Sequence, residues 1–330
     1  MSFGAKDLRL DAEAEIARIG GWMVEGLRSP LRRRGIVVGL SGGIDSSVTA
    51  ALAVRALGPE RVFGLFMPED ESDPQSLALG RELAEALGIS TAVENIGPIL
   101  AAAGCYSRRD AFIREALPEY GEGWRCKVVL ESPFSGRGLA ISWLVAVDPD
   151  GNEVKKRMPA SVYLGMIAAA NMKQRTRKQI EYYHADRLNY AVAGTPNRLE
   201  YDQGFYVKNG DGAADLKPIA HLYKTQVYQL AEALGVPESI RRRPPTTDTW
   251  SLPQTQDEYY FSLPHALMDL CLYALDNERS AQETAAATGL TVQEVEAAWQ
   301  AIEGKRRVAA SLGAPPLTLF RVRAISGKRA

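Results

Sequence analysis

The stretch Ile36-Val37-Val38-Gly39-Leu40-Ser41-Gly42-Gly43-Ile44-Asp45-Ser46-Ser47 decides how this chain is read. A β-branched apolar run enters it, small residues and one carboxylate follow, and an Ala/Leu-rich helical pattern leaves it. That order describes a strand, a tight loop and a helix N-terminus. Gly42 and Gly43 lack a Cβ, so the backbone there can take a positive φ and approach a ligand closely. Successive N–H groups in such a turn form an anion nest, and the helix behind aims its unpaired N–H groups and positive dipole end at the same point. Ser41, Ser46 and Ser47 add hydroxyls, with Ser46 or Ser47 as the helix N-cap. Asp45 is out of place beside an anion until a cation is included: Mg2+ takes carboxylate and phosphate oxygens together. A plain strand-to-helix turn explains the glycines but neither Asp45 nor the serine cluster. The phosphate motifs G-x-x-x-x-G-K-[ST] and G-x-G-x-x-G are both absent here.

The rest of the chain sets bounds. At 330 residues it can bury a large core. Its 39 basic and 40 acidic residues nearly cancel, so bulk charge draws it to no nucleic acid. The three cysteines, Cys105, Cys126 and Cys271, form no C-x-x-C, which argues against a zinc site or disulfide framework and for isolated apolar thiols. The N-terminus lacks an apolar signal region and no run approaches a membrane span, which predicts a cytoplasmic protein with no membrane contact.

Residues 7–28 have helical periodicity. A strand at 35–40, a helix at 46–57, a strand at 61–67, a helix at 74–87 and a strand at 89–96 then alternate. This predicts an α/β, doubly wound parallel sheet with helices on both faces and ligands at the carboxyl ends of the strands. Residues 97–120 read as irregular helix. Residues 124–158 break the alternation: strand-like runs at 127–130 and 139–147, the turn Asp148-Pro149-Asp150-Gly151-Asn152, and a returning strand at 153–158 predict a β-hairpin insertion. A helix at 160–186 carries alternating cations, which ordinarily mark a solvated face. A strand at 188–193 enters a loop at 194–218, long enough to be functional. Helices at 223–234, 264–276, 280–288 and 291–312 follow. The last two resemble a helix-turn-helix with Gly289 in the turn, but Glu294, Glu296 and Glu303 on the second repel phosphate, so packing is the better account.

The opening stretch resembles the pyrophosphate loop of the ATP pyrophosphatases, the adenine nucleotide alpha-hydrolase-like superfamily. The later segments are similar to the NAD synthetase family within it. The family's N-x-K-x-R-x-R helix is matched by residues Asn171 to Arg177. Its Gly-Thr strand end, following Glu, Gly-Phe, Lys and Gly-Asp-Gly-x-x-Asp are matched by Gly194-Thr195, Glu200, Gly204-Phe205, Lys208 and the segment from Gly210 to Asp215. Pro218, Leu222, Lys224, Pro245-Thr246 and Lys305-Arg306 complete the series, in one order from about residue 10 to 310.

The resemblance implies amidation of deamido-NAD with ammonia, using ATP and Mg2+, through a carboxyl-adenylate. It implies that Gly39, Leu40, Ser41, Gly42, Gly43, Ile44, Asp45, Ser46, Thr195, Lys224 and Thr246 bind ATP. Asp45 and Glu200 would hold the metal, Arg175, Lys208, Asp215 and Lys305 would bind deamido-NAD, and Asp45, Lys208 and Lys224 would be catalytic. It further implies a homodimer of single NAD synthetase-like domains (1–330), with the 124–158 insertion and a helical tail at 264–330. No glutaminase domain is expected, so ammonia comes free or from a separate glutaminase. The family's usual Asp-His after Gly-Thr is here Pro196-Asn197, its late His is Gly304, and the 250–260 region is not its short acidic loop. These departures leave open an adenylating ligase with another carboxylate acceptor. A third reading is a non-catalytic nucleotide-binding regulator; Asp45, Glu200 and Lys208 argue against it.

Overall fold

The computed structural model describes residues 3–130, 142–247 and 249–319. Ile36, Val37 and Val38 of β1 (Ile36–Gly39) are fully buried. A β-branched strand buried on both faces belongs at the centre of a parallel sheet. It pairs in parallel with β2 (Val62–Phe66) on one side and β7 (Ala191–Val192) on the other, and β2 pairs in parallel with β3 (Ser90–Val93). The sheet order is β3-β2-β1-β7. The chain therefore lays down three strands in one direction and returns to add β7 on the far side of β1. That reversal places a topological switch at the carboxyl ends of β1 and β7, where open α/β sheets bind ligands.

Successive β1 side chains point to opposite faces. Ile36 and Val38 pack with apolar residues of α1 (Ala12–Gly26), α2 (Ile44–Leu57), α3 (Pro74–Leu87) and α8 (Lys224–Ala233). Val37, Leu65 and Val192 pack with residues of α4 (Gly97–Ala102), α5 (Cys105–Ala116) and α6 (Ala160–Leu188). Helices thus cover both faces, as predicted. The ends of α3 show why local signals worked there: the Asp73 carboxylate accepts from Gln75 N at 2.9 Å, Pro74 opens the helix, and Gly88 closes it at φ +66°.

The insertion is larger than a hairpin. β4 (Arg125–Leu130), β5 (Ser142–Val147) and β6 (Glu153–Arg157) form a three-stranded antiparallel sheet. The predicted turn joins β5 to β6, with the Asp148 carboxylate accepting from Asn152 N at 2.8 Å. Positions 139–141 of the predicted strand lie outside the described residues. Cys126, Val128, Leu144 and Ala146 bury one face of this sheet against α5, α6 and Trp250.

The predicted loop at 194–218 is partly built: α7 (Arg198–Gln203) lies inside it, and Ala193 bridges Leu216 in parallel. A short α9 (Glu238–Arg241) follows α8. The tail forms α10 (His265–Asp276), α11 (Ala281–Thr288) and α12 (Val292–Gly313). Ala298 and Ile302 of α12 bury against α10 and Leu199, so packing accounts for this helix pair. All three cysteines are buried and free. Among the described residues no helix is long and apolar enough to cross a membrane.

Candidate active site

The phosphate-type loop uses its two glycines differently. Gly42 sits at φ +70°, and a Cβ there would fall 2.4 Å from the backbone oxygen of Ser76. Gly43 is extended at φ −92° and is itself the N-cap, so α2 starts at Ile44. Neither Ser46 nor Ser47 is the cap. Their hydroxyls turn back and donate to Gly43 O at 3.1 and 2.8 Å, because the helix has already begun and i−3 and i−4 carbonyls are in reach. Ser41 Oγ accepts from Gly43 N at 3.3 Å and lies 3.1 Å from Ser46 Oγ. The serines stitch the loop to itself, and Asp45 is left in the first turn of α2.

Asp45 and Glu200 arrive from neighbouring strands, one after β1 and one after β7. Asn197 joins them. Its side-chain Oδ1 accepts from Glu200 N at 3.2 Å, its backbone N–H donates to Glu200 Oε2 at 3.1 Å, and its Nδ2 donates to Asp45 Oδ1 at 3.0 Å. The first two bonds are a capping box that starts α7. Lys224, the first residue of α8 and only 1% exposed, pairs with Asp45 Oδ2. Asp269 of α10 fixes that helix start, accepting from Lys224 N at 3.2 Å and Thr225 N at 2.7 Å. Gln256 Nε2 donates to Glu200 Oε1 at 3.0 Å.

Burial pushes Glu200 up to about 8, with the Asp45 charge adding to it and Lys224 opposing. Burial pulls Lys224 down, but Asp45 and then Glu200 outweigh it and the lysine stands at about 12. Two carboxylates thus face one lysine in a dry place. Lys224 balances only one of them, so the second carboxylate lacks a counter-charge, and a divalent cation bound to these hard oxygen donors would supply it. Among the described residues no group of three or more acidic, His or Cys side chains forms a closed metal cage. Mg2+ does not need one, since it is commonly held by one or two carboxylates together with phosphate oxygens.

These groups open on a cavity of about 540 Å3, a size suited to a nucleotide. Gly39, Leu40, Ser41, Gly43, Ile44, Asp45, Ser46, Thr195, Glu200, Lys224 and Thr246 all line it. Gly42 does not line it; it turns the chain against α3. Arg177 and Arg243 line it too, Arg243 through Nη2 donating to Asp73 Oδ2 at 2.9 Å and Ser76 Oγ at 3.0 Å.

The other four predicted residues lie outside this lining. Arg175 is exposed and donates to Lys208 O at 3.2 Å, and exposed Lys208 donates to Ser311 O at 3.3 Å. Asp215 accepts from Val192 N at 2.8 Å beside β7. Lys305 stands one residue behind the wall: its Nζ donates to the backbone oxygen of Tyr260, a lining residue, at 2.6 Å. Burial draws Lys305 down to about 8.

Sequence reasoning gave no role to Asn197, Gln256 or Asp269. The Asn197-x-x-Glu200 spacing is a capping-box signal that could have found the first. A cluster of cations such as that at 171–177 ordinarily marks a solvated face; Arg175 is exposed, but Lys173 and the neighbouring Lys178 are buried. Lys173 Nζ meets Glu69 at 3.0 Å and Glu71 at 2.6 Å, and Lys178 meets Glu181 at 2.6 Å. The partners of Lys173 come from the acidic loop after β2, too distant in sequence for a helix-periodicity argument to see.

A parallel sheet with a phosphate-type loop and a carboxylate pair at its switch point defines an α/β protein built to bind a nucleotide. The model of the NAD synthase family matches residues 19–116 and 146–309, and the chain belongs to that family. The chain is 64% identical to the NH(3)-dependent NAD(+) synthetase of Rhizobium rhizogenes, over 94% of this chain and 93% of that one. Among solved structures it is similar to NMN synthetase from Francisella tularensis, with TM-score 0.64 and 22% identity over 94% of this chain and 99% of that chain. It is also similar to the NH3-dependent NAD synthetase of Campylobacter jejuni in complex with nitrate, with TM-score 0.60 and 23% identity over 94% and 100%. At those identities the two structures speak for the fold alone.

Proposed function

We propose that this chain amidates deamido-NAD to NAD with ammonia, splitting ATP to AMP and pyrophosphate. It is a C–N ligase. The observation that carries the reading is the meeting of Asp45, Glu200 and Lys224 beside the phosphate-type loop, at the sheet's switch point, in a chain of this family.

The nicotinate carboxylate is a poor acyl donor, because its leaving group would be oxide. Its attack on the α-phosphorus of ATP makes a carboxyl-adenylate and expels pyrophosphate; ammonia then displaces AMP. The loop at 39–46 and the N-terminus of α2 receive the pyrophosphate, and Thr195, Lys224 and Thr246 contact ATP. Asp45 and Glu200 would hold Mg2+, which when bound would supply Lewis-acid neutralisation of phosphate charge. Lys224, kept charged by its two carboxylates, faces charge developing at the α-phosphate. Asn197 and Asp269 hold these side chains in place.

Arg175, Lys208, Asp215 and Lys305 receive deamido-NAD, with Lys208 acting on the reacting end. The exposed position of Arg175, Lys208 and Asp215 outside the ATP cavity suits a second substrate bound where two copies of the chain meet, in a homodimer, with Lys305 approaching from behind the cavity wall. The protein works in the cytoplasm as one catalytic domain, taking ammonia from solution or from a separate glutaminase.

The test is incubation with ATP, Mg2+, ammonium and deamido-NAD. Equal amounts of NAD, AMP and pyrophosphate are expected. Pyrophosphate released without NAD would overturn the acceptor and leave an adenylating ligase for another carboxylate.

A further inference from the structure

The family model leaves out residues 117–145, and β4 lies within that gap. β4 pairs with β5 along one edge, and its other side is occupied by a segment from far along the chain. Leu252 N donates to Cys126 O at 3.1 Å, Cys126 N donates to Ser251 Oγ at 2.9 Å, and Gln254 Nε2 donates to Val128 O at 2.7 Å. The last bond is dry, since Gln254 is only 4% exposed. Trp250 packs into the same face of the insertion sheet. Lys173 Nζ adds a tie at the near end, donating to Thr249 O at 3.1 Å.

The other side of this segment is cavity wall. Thr246, Thr249, Gln256 and Tyr259 line the cavity. Thr246 bridges Thr255, and Gln256 N donates to Pro245 O at 3.0 Å, so the two arms move as one piece. Through Gln256 that piece also touches Glu200.

We propose that β4 is a splint: Ser251 and Gln254, by bonding to it, hold Thr246 and Gln256 in their places before ATP arrives. Both are positioning residues, since neither lines the cavity and their bonds go to β4 rather than to Asp45 or Glu200. The inference rests on the ATP reading of the cavity. Its physical content is preorganisation: a wall already in place need not be ordered by the ligand, and a wall open part of the time weakens the apparent affinity by the competent fraction.

Gln254→Leu keeps the volume and removes the donor to Val128. In unliganded wild-type protein the Leu252 amide is expected to resist hydrogen exchange, and in the variant to exchange faster, with ATP restoring protection. KM for ATP is expected to rise about tenfold while kcat and KM for deamido-NAD hold, as loss of a preformed ATP wall requires. A merely structural defect would lower the melting temperature without separating the two KM values. An unprotected Leu252 amide in the unliganded wild type overturns the inference, as does an unchanged KM for ATP in the variant. Wild-type protein that fails to bind ATP would overturn the functional reading instead, and the exchange measurement would still decide whether β4 holds the segment. Should Gln254→Leu not fold, Ser251→Ala removes the bond to Cys126 N and takes the same measurements.

Discussion

Asn197 holds Asp45: its Nδ2 lies 3.0 Å from Asp45 Oδ1, and the same side chain caps the helix that presents Glu200. One residue thereby sets the spacing of two carboxylates that come from different strands. Asn197→Ala removes both functions. Stability is expected to fall by about 1 kcal/mol for the lost cap. Activity is expected to fall roughly 10- to 100-fold, as when an outer-shell partner of a metal ligand is removed. Asn197→Ser separates the two, because Ser caps as well as Asn but is too short to donate to Asp45 and adds no charge beside it. It is expected to melt like wild type and still lose activity; full activity would show that the bond to Asp45 is dispensable. Urea melts and a Mg2+ titration of turnover check both variants.

Asp45→Asn keeps the shape of the side chain and removes its charge. Asparagine is a far weaker partner for Lys224 and for a divalent cation. Turnover is expected to vanish while the circular dichroism spectrum stays native-like, with the melt lowered because buried Lys224 loses its charged partner. Near-normal turnover would show that the loop after β1 does not serve the metal.

The strand-loop-helix at 36–47 was legible because three independent signals agree there: an apolar β run, small residues, and a helical pattern on the far side. The parallel sheet followed from the alternation of such segments. What sequence could not separate is Gly42 from Gly43, since the same residue type serves a left-handed turn at one and an extended N-cap at the other. It also could not see that Lys173 meets Glu69 and Glu71, or that β4 meets Gln254, because pairings over a hundred positions apart leave no periodic trace. Asn197 was visible only as a departure from a resembling pattern. Its work shows once β7 is seen to lie beside β1.

The two glycines give a direct test of that distinction. Gly42→Ala must hold alanine at φ +70° with its Cβ 2.4 Å from a backbone oxygen, so the loop has to shift. A loss of more than about 1 kcal/mol is expected, together with loss of ATP binding. Gly43→Ala meets only the Ser41 hydroxyl at 3.3 Å and keeps a permitted backbone. Its stability is expected to change by less than about 1 kcal/mol, because the poorer capping of Ala and the reduced freedom of the unfolded chain oppose each other. Equal destabilisation in denaturant titrations of the two variants would contradict this division of labour.

Lys305 gives a pH dependence whose sign can be worked out. Burial beside Tyr260 holds it at about 8, against the ordinary lysine value of 10.5. Between those values the unfolded chain binds more protons than the folded one, so stability rises with pH across the window. The contribution is complete above 10.5 and is lost as pH falls through 8. Lys305→Met has no proton to bind and should remove that part of the slope. The difference in unfolding free energy between wild type and variant is therefore expected to shift in favour of wild type as pH is raised from 8 towards 10.5. Urea titrations of both proteins at a series of pH values measure it, and other titrating groups largely cancel in the difference. Parallel curves would show that Lys305 titrates as an exposed lysine does, and that its bond to Tyr260 O is made without desolvating the ammonium.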